Sequence, residues 1–135
     1  MEEKYINQIL KEADKAAKKG EVPIGCVIVK NNKVIAKSHN TKETTNVATN
    51  HAEIIAIKKA CKKINSWRLN DCILYVTLKP CNMCMSAIKE ARISKVIYLL
   101  DSNYEHQNNY NIDLEQYIKE NDYAIKLKDF FNKLR

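Results

Sequence analysis

The stretch from residue 72 to residue 100 limits the possible folds most. Cys72 to Leu78 is a short, apolar, β-branched run, and Pro80 punctuates it. Cys81 to Ala91 has the composition of a helix, and Val96 to Leu100 is again a β-branched run. Strand, helix and strand in that order imply a right-handed crossover between parallel strands. Upstream, Pro23 opens an apolar run from Ile24 to Val29, Asn31-Asn32 is a hairpin turn, and Val34 to Ser38 returns as a second strand. Residues 5–19 carry Ile6, Ile9, Leu10, Ala13, Ala16 and Ala17 at helical spacing, ended by Gly20. From His51 the pattern is helical again through Ile54, Ile55, Ile57, Cys61 and Ile64. The class expected is α/β, with helices on both faces of a mixed sheet.

Two regions give weaker signals. Residues 40–50 hold four Thr and three Asn and read as a loop, near the upper length for a connection without structure. After Asp101 comes a polar stretch rich in Asn and Tyr, followed by weakly helical segments to the end. No repeat or linker divides the 135 residues, so one domain is expected. No apolar run approaches the roughly 18 residues of a membrane span. The start, Met1-Glu2-Glu3-Lys4-Tyr5, lacks the apolar stretch of a signal peptide, which points to a soluble, cytoplasmic protein. The 23 Lys and Arg against 16 acids give a net charge of +7. That balance favours an anionic partner, most plausibly nucleic acid, although a solvated lysine face would look the same.

The chemistry sits in His51-Ala52-Glu53 and, about thirty residues on, Pro80-Cys81-Asn82-Met83-Cys84. Catalytic zinc takes three nitrogen or thiolate ligands and keeps a fourth position for water. His51, Cys81 and Cys84 supply that set. Cys81 and Cys84 are three apart, on one helix face and in its first turn, where the positive end of the helix favours thiolates. His51 and Glu53, two apart, point to different sides of a helix body. They serve one centre only if it lies beyond the helix's N-terminal end, with Glu53 as a non-ligand acid/base. The strand pair and its loop at 40–50 would complete the pocket. A redox C-x-x-C pair or two buried thiols would need no zinc. A structural zinc would take a fourth ligand from Cys26, Cys61, Cys72, His39 or His106, of which Cys26 and Cys72 sit in strands as core residues. Near the C-terminus, Leu127, Phe130 and Leu134 are expected on the buried side of a helix, leaving Phe131 for contact with an unpaired base.

The order H-x-E, strand, P-C-x-x-C is the known signature of zinc nucleobase deaminases. The chain resembles the bacterial tRNA-specific adenosine deaminases over nearly its whole length, through Val22-Pro23-Ile24-Gly25, Asn50-His51-Ala52-Glu53-Ile54, Trp67-Arg68-Leu69, and Leu74-Tyr75-Val76-Thr77-Leu78 running into Pro80-Cys81-Asn82-Met83-Cys84. Trp67-Arg68-Leu69, and Asp129-Phe130-Phe131 with Arg135, look particular to the tRNA branch. The resemblance implies a three-layer α/β/α cytidine-deaminase-like fold with a central mixed sheet, formed by residues 1–135 as one deaminase domain. It further implies one Zn2+ per subunit and hydrolysis of adenosine to inosine in a tRNA anticodon loop, at the wobble position. Asn40 would hydrogen-bond the target base, and the protein would be a homodimer with each site close to the interface. A free-base or nucleoside deaminase acting on guanine, cytosine or cytidine would share the zinc core, as would a non-catalytic zinc-stabilised RNA-binding module without need of Glu53. The chain departs from the family at Lys79, where Glu is usual, at Asn50, where a small residue is usual, and after the fourth strand, where 101–106 replace a Gly-rich stretch.

Overall fold

The computed structural model describes residues 2–102, 110–118 and 120–133. Helix α1 (Glu2–Lys18) leads into the hairpin β1 (Gly25–Lys30) and β2 (Lys33–His39). A single-turn helix α2 (Lys42–Thr45) and α3 (Ala52–Ile64) follow, then β3 (Cys72–Leu78), α4 (Asn82–Glu90), β4 (Lys95–Leu100), β5 (Asp113–Gln116) and α5 (Tyr123–Lys133). The sheet order is β2-β1-β3-β4-β5. Strand β1 is antiparallel to both β2 and β3, while β3, β4 and β5 run parallel. The crossover and the mixed sheet are therefore as the sequence implies.

Local chemistry explains the hairpin. Asn31 and Asn32 both have positive φ, 50° and 63°, as the tight turn between Lys30 and Lys33 requires. Alternation along β1 then sends its side chains to two cores. Val27 and Val29 join Tyr5, Ile6 and Ile9 of α1, whereas Cys26 and Ile28 join the buried faces of α3 and α4. Ala52, Ala56 and Ala60 are fully buried at successive turns of α3, so small side chains bring that helix close to the sheet. Gly25 serves the opposite face: a Cβ there would lie 2.1 Å from the Ile9 carbonyl oxygen, so α1 can cross β1 only over a glycine.

Two elements differ from the sequence reading. Residues 40–50 are not structureless, because Glu21 reaches across to order α2. Its buried carboxylate accepts the backbone N–H of Glu43 (3.0 Å) and both the N–H and the hydroxyl of Thr44. Burial opposes its ionisation, but these hydrogen bonds hold Glu21 below the usual carboxylate range. The second difference is β5, a fifth strand where weak helix was expected. Of Asp113–Gln116 only Leu114 is even partly buried, so the strand owes its form to pairing with β4. Among the described residues no helix is long and apolar enough to cross a membrane.

Candidate active site

Two helices begin at one point, beyond the carboxyl end of β3. His51 is the N-cap of α3 and Cys81 the N-cap of α4, both with extended backbone, and neither side chain caps its own helix. Both side chains are thereby free to meet in front of the two positive helix ends. His51 Nδ1 lies 3.5 Å from Cys84 Sγ and 3.9 Å from Cys81 Sγ, and the donor atoms of the three residues all fall within 4.8 Å of one another. A tetrahedral zinc with bonds of about 2.3 Å to sulfur and 2.0–2.1 Å to nitrogen would set such N···S edges at roughly 3.5 Å. The donor set fits that metal in type and spacing. Without a cation the thiols share a proton unequally. A hydrogen bond from Cys84, helped by His51 and opposed by burial, pulls Cys81 down to about 4, while the same bond and burial push Cys84 far up.

Glu53 is the second residue of α3 and is only 3% exposed. Its Oε1 is buried without a hydrogen-bond partner among the described residues, and burial raises its pKa to about 7. A carboxyl left this way is costly unless something enters the site to meet it. Glu53, His51 and Cys81 line a cavity of about 430 Å3 together with Ile24, Lys79 and Leu127, a volume within the usual range for a small-ligand site of about 300–1,000 Å3.

Strand β2 fixes the register of this corner. Asn40 Oδ1 accepts the Ala52 N–H at 2.8 Å, and the Ser38 hydroxyl donates to the Ala52 carbonyl at 2.6 Å. Both backbone groups of the residue between His51 and Glu53 are thus gripped from one strand. The resemblance implies that Asn40 meets the target base; its Oδ1 accepts from α3, its Nδ2 remains for such a contact, and its side chain is not part of the cavity lining. The loop at 40–50, expected to complete the pocket, contributes nothing to the cavity lining, whose outer wall comes from Ile24, Lys79, Leu127 and the end of β4. Lys79, in place of the family's Glu, stands 3.6 Å from Asp101 in that wall.

The remaining candidates fall elsewhere. His39 is paired with Glu12 at 3.0 Å and Lys19 at 3.2 Å, Cys26 and Cys72 are core residues, and the Cys61 thiol faces the Trp67 carbonyl. His106, Leu134 and Arg135 lie outside the described residues. In α5 Phe130 is half-buried and Phe131 is 46% exposed, their rings 5.5 Å apart edge to face. Phe131 does not line the cavity; Leu127, expected in the core, does. Sequence reasoning also missed Tyr123, the one fully buried residue of α5. Its hydroxyl accepts from Thr77 Oγ1 (3.0 Å) and donates to the Pro23 carbonyl (2.6 Å), while Thr77 Oγ1 accepts the Gly25 N–H (3.2 Å). An isolated Tyr at the start of a weak helix gives no sign of this, since both partners of its hydroxyl lie 46 or more residues away.

Comparison with known proteins agrees with this architecture. The model of the MafB19-like deaminase family matches residues 1–135. The chain is 38% identical to the tRNA-specific adenosine deaminase of Bacillus subtilis, over 99% of this chain and 91% of that protein. It is 41% identical to the tRNA-specific adenosine deaminase of Aquifex aeolicus, over 98% and 95%. A solved structure from work on A-to-I editing by tRNA:A34 deaminases at the wobble position of transfer RNA matches with a TM-score of 0.79 at 34% identity, covering 86% of this chain and 99% of that one. Guanine deaminase from Bacillus subtilis matches with a TM-score of 0.70 at 28% identity, over 96% and 93%.

Proposed function

Since the chain belongs both to the MafB19-like deaminase family and to the tRNA-specific adenosine deaminases, we propose that it converts adenosine to inosine in tRNA, at the wobble position of the anticodon. The observation that carries this reading is Glu53, a buried carboxyl whose Oε1 has no partner among the described residues, in one cavity with His51 and Cys81 of the three clustered metal donors. His51, Cys81 and Cys84 would hold one Zn2+ per chain, which supplies the Lewis acidity that makes water a nucleophile at neutral pH. Glu53 takes the proton of the attacking water on its free oxygen and delivers it to N1 of the purine, making C6 electrophilic. It then carries the remaining proton of the hydroxyl added at C6 to the amino group, which leaves as ammonia as the C6 carbonyl of inosine forms. The base must be unstacked to enter, which an anticodon loop allows. Asn40 offers its remaining Nδ2 to the base, and Phe131 an exposed ring on which a neighbouring base stacks.

Residues 1–135 act here as one deaminase domain, in the cytoplasm. The working unit is a homodimer with each site close to the interface, for which exposed Val47, Trp67 and Met83 supply apolar surface; light scattering of the purified protein at micromolar concentration tests it, and a monomer overturns it. The activity is tested by incubating the zinc-loaded protein with unmodified tRNA and, separately, with guanine, cytosine and cytidine. Inosine at the wobble position is expected. Ammonia from a free base, with none from tRNA, overturns the reading in favour of a free-base enzyme.

A further inference from the structure

A groove of about 610 Å3 runs along edge strand β2, from Gln8 of α1 on one side to the lysines of α3 on the other, on a part of the surface that the site does not use. Lys37, Lys59, Lys62 and Lys63 line it, and no acidic side chain does. All four are exposed. Lys59 is laid onto the strand edge, its Nζ donating to the Lys37 carbonyl at 3.0 Å. Several lysines elsewhere are paired, Lys15 with Glu12, Lys95 with Glu115 and Lys126 with Asp14, whereas among the described residues none of these four makes an ion pair. Separate reasons exist for single members. Lys62 and Lys63 suit the negative end of α3, and a lysine on an edge strand discourages pairing with another chain. Neither reason explains four uncompensated cations converging on one groove.

We propose that this groove binds the phosphodiester backbone of the RNA substrate at a distance from the target base. The inference rests on the tRNA reading above and extends it. Lys59 and Lys63 follow the donor His51 by eight and twelve residues, which at 1.5 Å per residue places them about 12 and 18 Å along α3 from it. That is beyond the reach of one flipped nucleotide and suits the backbone flanking the loop. Lysine meets phosphate as a point charge and needs no fixed geometry, so the groove adds affinity without reading sequence. An acidic peptide laid along β2 is the rival occupant.

The test compares the double variant Lys62→Gln/Lys63→Gln with a control of equal charge, Lys11→Gln/Lys18→Gln on exposed positions of α1. Binding of full-length tRNA is measured across a salt series. Each lost phosphate contact lowers the slope of log K against log salt by about 0.7–0.9, so the groove variant is expected to lose about 1.4–1.8 and the control almost nothing. Turnover of a short anticodon hairpin at saturation stays at the wild-type value in both, which also reports an intact fold. Equal slopes for groove variant and control overturn the proposal. A groove variant that keeps its tRNA slope but loses binding to poly-glutamate overturns it in favour of the peptide. Wild-type protein that makes no inosine in tRNA refutes the functional reading; wild-type protein that edits, with an unchanged slope in the groove variant, refutes the groove alone.

Discussion

Residues 38–53 and 72–84 hold one another through buried polar groups with named partners, while residues 110–133 join the same sheet through one short, mostly exposed edge strand and a few side chains. In the first region Ser38 and Asn40 grip Ala52, Glu21 orders α2, and two helix ends converge on His51, Cys81 and Cys84. In the second, β5 pairs with β4 along four residues, and two tyrosines add side-chain anchors on either side of it. The Tyr110 hydroxyl reaches Asn82 Oδ1 at 3.1 Å, and Tyr123 reaches Thr77 and Pro23. Beyond Tyr123, α5 has only half-buried Leu127 and Phe130, with a surface ion pair of Lys126 to Asp14 at 3.5 Å. Buried polar contacts are concentrated around the candidate metal donors and Glu53, whereas α5, which brings Leu127 to the cavity, is anchored chiefly at Tyr123.

The contrast can be broken experimentally, beginning with the largest effect. Glu53→Gln is expected to lower inosine formation by roughly 10²–10⁴-fold with zinc content unchanged, because the role proposed for Glu53 is to move protons and it stands outside the His51, Cys81 and Cys84 donor cluster. Cys84→Ala should lose metal and thermal stability together. Metal analysis of both variants decides the matter, since full zinc occupancy in Cys84→Ala would contradict the ligand set. Next comes Gly25→Ala, which drives a methyl into the Ile9 carbonyl and should cost about 3 kcal/mol in denaturant unfolding. A variant as stable as the parent would show that α1 is free to move off β1.

Smaller effects are expected in the C-terminal region. Tyr123→Phe removes the hydroxyl shared by Thr77 and Pro23 and should cost about 1–3 kcal/mol. Amide exchange is expected to rise in α5 first, with zinc retained; uniform loss of protection would instead make α5 part of the main cooperative unit. Smallest is Phe131→Ala, which should leave folding alone and weaken tRNA binding by roughly tenfold, the worth of about one stacked base. Unchanged affinity would return that ring to ordinary surface.

Legibility in the sequence follows the same division. Strand β3, the Asn31-Asn32 turn and the two helix starts are local patterns, each set by residues adjacent in the chain, and they stand out in the sequence for that reason. The proximity of His51 to Cys81 and Cys84 was readable because only those donors have zinc spacing in one short motif pair. Strand β5 was not readable, since Asp113–Gln116 carries a single aliphatic residue and becomes a strand through β4. Helix α2 escaped for a related reason: its organiser, Glu21, lies more than twenty residues upstream. Asn40 shows a subtler limit. A polar residue at a strand end signals that it will make hydrogen bonds, but not whether its oxygen serves the fold or a ligand.

The grip of β2 on Ala52 also turns the hairpin into a ruler. Ser38 and Asn40 reach the helix from one end of a strand whose other end is the Asn31–Asn32 turn, roughly 20 Å away at about 3.4 Å per residue. The pairing already shifts once between turn and grip, at a bulge where Val29 faces Val34 and Ile28 faces Ala36; a further residue carried from the turn past that bulge would send both side chains to the opposite face. The length of a surface turn far from any chemistry therefore sets where His51 and Glu53 stand. For redesign, loop grafting at residues 31–32 is a change to the active site, whereas positions 42–50, outside the cavity, tolerate exchange as long as Glu21 keeps its partners.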